Sequence, residues 1–135
     1  MNVIDFMQRI EEVMLEILEG EMKNVAEFLN IKLWKYTFHR YNEISFVSPE
    51  EKHIYFKNLT NFDFDSAMKT ICHELRHQYQ NDVINGLIQD KNKSVWTNAY
   101  KELVNTKEDS VKYHNILEVD ARAFAEYYCE KFIYS

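Results

Sequence analysis

Val3, Phe6, Met7, Ile10, Val13, Met14, Ile17 and Leu18 recur at three- and four-residue intervals, and Val25, Phe28 and Leu29 continue the pattern beyond Gly20. This spacing predicts one long amphipathic helix that could bend at Gly20, with its apolar face packed into a core. The pattern then changes. Residues 31–39 (IKLWKYTFH), 43–48 (EISFVS) and 52–59 (KHIYFKNL) alternate apolar and polar positions. That period of two predicts three short strands with a turn at Pro49, arranged as a small antiparallel sheet. Helical spacing returns at Ala67, Ile71, Leu75 and Tyr79, with Asp63, Asp65 and Ser66 as candidate N-caps and Asn85-Gly86 as the stop. After a loop, two more helices are expected, one over 94–105 and one from 110 to the end of the chain.

Length and composition narrow the reading. A chain of 135 residues suits a single domain over 1–135, and two Gly and one Pro leave little material for linkers. The fold class expected is α+β: a helix-rich domain with the sheet packed on the helix that begins near Asp63. A net charge of −6, with acidic residues spread along the chain, argues against a nucleic-acid partner, which needs a clustered basic face. Acidic residues also interrupt the first helix throughout, so neither an export signal nor a membrane span is expected there, and no membrane partner. Cys72 and Cys129 lie in apolar helical contexts and read as reduced core residues, which suits a cytoplasmic protein. The nine Tyr and nine Phe are expected mainly to fill the core.

The chemistry concentrates in residues 73–77, HELRH. On a helix, positions i and i+4 share a face, so His73 and His77 can direct two imidazole nitrogens at one ion. Glu74 is rotated by about 100° from His73 and suits a general base acting on a water at that ion. A short motif arises by chance often enough that its context must decide, and here the context is a predicted helix after an aromatic strand. Catalytic zinc takes three protein ligands. His39, His53, His114, Glu118 and Asp120 are the candidates for the third.

HELRH followed by LEVDARAFAEYY at 117–128 resembles the gluzincin-type zinc metallopeptidases, in which a second helix supplies a glutamate. The likeness is nearest to the minimal zincin-like proteins of prophages and mobile elements and to the family containing ImmA and IrrE. In those families a glutamate stands six residues before an FA or FG pair, and six residues before Phe124 is Glu118. The resemblance therefore implies His73, His77 and Glu118 as zinc ligands and Glu74 as the base, with Asp120 as the rival ligand. Two positions depart from the family pattern: Arg76 replaces a common Gly, and Arg122 replaces an Asp or Asn that often supports the ligands.

A peptidase also needs donors for the oxyanion. Tyr113, His114 and Tyr79 are the candidates, His114 because one unbroken helix would place it on the face of Glu118. The expected function is a small zinc-dependent metallopeptidase acting on a peptide or protein, with 52–58 as the strand edge that binds substrate. The alternative is a proteolytically silent zincin-like module that keeps zinc and works through protein partners in phage or mobile-element regulation.

Overall fold

In a computed structural model, residues 2–39, 44–61 and 63–134 are described. Met1, Glu43 at the start of the expected second strand, Phe62 before the helix start, and Ser135 lie outside them. The elements in chain order are α1 (Val3–Leu29), β1 (Lys35–Phe38), β2 (Phe46–Ser48), β3 (His53–Phe56), a 3-10 turn at Leu59–Asn61, α2 (Phe64–Ile84), α3 (Lys93–Val104), α4 (Asp109–His114) and α5 (Ile116–Tyr128). A π-helical turn, Cys129–Ile133, follows α5. The architecture is α+β, helix-rich with one small sheet. Among the described residues no helix is long and apolar enough to cross a membrane.

The sheet is mixed rather than antiparallel. Its order is β1-β3-β2, with β1 parallel to β3 (Lys35↔His53 to Phe38↔Phe56) and β2 antiparallel to β3 (Phe46↔Tyr55 to Ser48↔His53). Alternation of apolar residues is the same for any strand order, so it could not reveal this. Burial decides it: Ile54 and Phe56 of β3 are fully buried, and the strand that buries most takes the middle. The turn from β2 to β3 closes on Pro49, with Lys52 in the left-handed region at φ 52°. Residues 52–58 are consequently not a free edge, and the outer strands are β1 and β2.

Ala67, Met68, Ile71, Cys72 and Leu75 of α2 pack against Ile54 and Phe56 of the sheet, Phe124 and Tyr128 of α5, and Leu18, Met22, Val25 and Leu29 of α1. A smaller cluster joins Val83 of α2 to Trp96, Ala99 and Leu117. Cys72 and Cys129 are both free and buried. Asp63 caps α2 by accepting from the Ser66 amide at 2.7 Å, and at the other end Asn85 and Gly86, with φ 81°, let the chain turn away.

Two expectations about the helices fail. The C-terminal helix is not continuous, because Asn115 adopts an extended ψ of 141°, caps α5 through the Leu117 amide, and donates to the Ala99 carbonyl at 3.0 Å. An Asn side chain competes well with the helical backbone, and here its burial between α3 and α5 fixes the break. The core-packing role of α1 holds only for its second half. Val3, Phe6, Met7, Ile10, Val13 and Ile17 are exposed, since the sheet and α2 reach only as far as the face carrying Leu18 and Met22.

Candidate metal centre

Helix α2 buries Glu74, Gln78, Gln80, Asn81 and Asp82 beside its apolar residues, an expensive arrangement unless each polar group is used. Packing of α2 against α5 brings Glu118, in the first turn of α5, onto the His73/His77 face. His73 Nε2 lies 3.1 Å from Glu118 Oε2, His77 Nε2 lies 3.0 Å from Glu118 Oε1, and the two Nε2 atoms are 3.1 Å apart. Three ligand atoms of these residues, one from each, all fall within 4.8 Å of one another. A tetrahedral zinc site with bonds near 2.0–2.1 Å has donor-to-donor edges of about 3.3 Å. The separation of the two histidine nitrogens and the approach of each to one of the two Glu118 oxygens come near that figure, so the donor set fits a metal ion.

The charges in the cluster are coupled. Burial opposes ionisation of Glu118, but hydrogen bonds to His73 and His77 outweigh it and hold the carboxyl well below the usual carboxylate range. Burial opposes charge on His77, yet the Glu118 hydrogen bond and the charges of Glu74 and Glu118 raise its pKa. A proton and a metal ion would compete for the same Nε2 position. Glu74 is 5% exposed, and burial raises its pKa against the partial opposition of the two histidines. Its Oε2 is buried with no hydrogen-bond partner among the described residues. A buried carboxylate oxygen with no partner is costly, and a water or substrate proton would satisfy it.

Behind the cluster stands a support that the motif did not reveal. The His77 Nδ1–H donates to Gln80 Oε1 at 2.8 Å. The Gln80 amide nitrogen donates to the Leu117 carbonyl at 2.9 Å and to Asp120 Oδ2 at 2.8 Å, which fixes the amide's orientation. Arg76 then holds Asp120 through two contacts, 2.7 and 3.2 Å, and lies over the Tyr79 ring at 4.5 Å. Asp120 is thus engaged by Arg76 and Gln80 rather than facing the histidines. Arg76, unusual for the resembled family, has a partner in Asp120. The available signal for Gln80 was its place three residues after His77, on the same helix face.

No family model matches the chain, and no curated protein or solved structure matches it.

The cluster opens on a cavity of about 410 Å³ lined by His73, Glu74, His77 and Glu118 together with Phe46, Val47, Ile84, Tyr100, Leu103 and Leu117. The remaining sequence candidates lie elsewhere. His39 and His53 belong to the sheet region, where both rings stack on Tyr55 and His53 contacts Thr37 Oγ1. Tyr79 donates its hydroxyl to Asp90 at 2.7 Å. Tyr113 and His114 are exposed on α4 and do not line the cavity. Arg122 covers the Tyr113 ring at 4.0 Å and donates to its carbonyl. The break at Asn115 removes the shared helical face that would have aligned His114 with Glu118.

Proposed function

We propose that this protein is a zinc-dependent peptidase in which His73, His77 and Glu118 hold the metal and Glu74 is the general base. The observation that carries the reading is the convergence of the three donors beside a buried carboxylate that lines the same cavity and has one unpartnered oxygen among the described residues. A purely structural zinc site would have no use for Glu74. When bound, zinc supplies Lewis-acid chemistry, making a water acidic near neutral pH and polarising a carbonyl. Glu74 takes the proton of the attacking water and returns it to the departing amine. Gln80 holds the His77 ring in the tautomer that presents Nε2 to the cluster.

The substrate is a peptide lying along β2, an outer strand whose Phe46 and Val47 line the cavity. The apolar walls favour an apolar side chain next to the bond cleaved. The test is cleavage of a peptide mixture by zinc-loaded protein, read by mass spectrometry. Wild type should generate new termini while Glu74→Gln, holding the same metal, should not. Equal cleavage by both would end the base assignment, and a metal-loaded wild type that cleaves nothing would favour a silent binding module.

A further inference from the structure

The first half of α1 carries an apolar face that nothing in the described chain covers. Val3, Phe6, Ile10, Val13 and Ile17 are each between 43% and 73% exposed and succeed one another at intervals of three, four, three and four residues. That is the a/d spacing of a coiled-coil seam. The face buried in the protein's own core, through Leu18, Met22, Val25 and Leu29, lies roughly 110° around the helix, so the seam lies to the side of that face and is left exposed. Helix α1 therefore has two apolar faces, one of which has no partner among the described residues.

We propose that this seam pairs antiparallel with the same helix of a second copy of the chain. The choice of occupant and direction comes from the flanking residues. With Val3, Ile10 and Ile17 at position a, Arg9 and Glu16 fall at g, and Met7, Met14 and Glu21 at e. Antiparallel helices bring g against g and e against e. Arg9 then meets Glu16 of the other copy, twice by symmetry, and Met7 meets Met14. Parallel helices bring g against e, which would set Glu16 against Glu21 of the other copy. Charge thus favours the antiparallel pair, with Phe6 opposite Ile17, Ile10 opposite Val13, and Val3 opposite Gly20. Within one copy Arg9 makes a loose contact at 4.0 Å to Glu12 among the described residues, and both side chains are exposed, so the pair holds Arg9 weakly. Gly20 points the same way: a Cβ there would meet nothing within 4 Å, so the chain's own fold gives no steric reason for a glycine inside the helix. A lipid surface suits the seam less well, because the polar positions around it are mainly acidic.

Sedimentation equilibrium of the full chain, across about 1 to 200 µM, tests this. Wild type should show a monomer–dimer equilibrium. Val13→Glu, at an exposed position that leaves the fold intact by circular dichroism, should weaken it by at least about tenfold. Arg9→Glu should weaken it too, and adding Glu16→Arg should restore it. A Phe6→Cys chain should cross-link to an Ile17→Cys chain and not to itself. A wild type that stays monomeric throughout overturns the proposal, whether or not it floats with phosphatidylcholine vesicles, and self-cross-linking of Phe6→Cys overturns the antiparallel direction. None of these readings involves metal, so their outcome is separate from that of the peptidase reading.

Discussion

Replacing Gln80 by leucine isolates the support behind His77. The two side chains have similar volume, so at this buried position the change removes hydrogen bonds without opening a cavity. Three bonds are lost: 2.8 Å from His77 Nδ1, 2.9 Å to the Leu117 carbonyl and 2.8 Å to Asp120. Asp120 keeps Arg76, and the Leu117 carbonyl lies within α5, where the Ala121 amide is its normal helical partner. The His77 Nδ1–H is the group left orphaned, which costs about 1–3 kcal/mol of stability. Loss of an outer partner of a metal-binding histidine weakens affinity by about 10–100-fold. Zinc affinity should be measured by competition with a chromophoric chelator at fixed pH, with folding followed by circular dichroism. Asp120→Asn should weaken binding less, because Gln80 retains the Leu117 carbonyl. A folded Gln80→Leu protein that binds zinc within about twofold of wild type would refute the role assigned to Gln80.

Three further outcomes are expected. Arg76→Ala removes a two-point ion pair between side chains 17% and 25% exposed, and should cost about 1–3 kcal/mol, a fall in Tm of about 4 °C for each kcal/mol; an unchanged melting curve would contradict this. Gly20→Ala should stabilise the monomeric fold by up to about 1 kcal/mol, since the helix gains propensity and the new methyl meets nothing within 4 Å; this is read by urea unfolding of the protein in the Val13→Glu background. The raised pKa of His77 means that its protonated form stabilises the metal-free fold below the unfolded histidine value of about 6.5, and that this contribution is lost as pH rises through the folded pKa. Zinc affinity should change in the opposite sense, strengthening as pH rises through that same range, and a pH-independent affinity would oppose the assignment of His77 Nε2 as the contested atom.

Some of this organisation is legible in the chain and some is not, for physical reasons. The i,i+4 histidines, the Asp63 cap and the Asn85-Gly86 stop are local, so a helix carrying HELRH could be read directly. Glu118 was legible only through resemblance, because its approach to the histidines depends on how α2 and α5 pack 45 residues apart in sequence. The strand order was hidden, since periodicity records which face is buried and not which strand lies in the middle. Asn115 is an ordinary polar residue in a helical pattern until its contact with Ala99 is known. Gln80 likewise shows nothing until Asp120 and Leu117 arrive beside it. The exposed half of α1 has the spacing of a core helix, and only the position of the rest of the protein reveals that half of its face is unpartnered.

The central claim is a metal held by His73, His77 and Glu118, and metal content measures it most directly. Wild type, Glu74→Gln and Glu118→Ala would each be purified without added metal or chelator and analysed by elemental mass spectrometry. The account predicts about one zinc per chain in wild type and in Glu74→Gln, with loss of the metal in Glu118→Ala. A wild type that carries no metal and takes up none when zinc is added would contradict it.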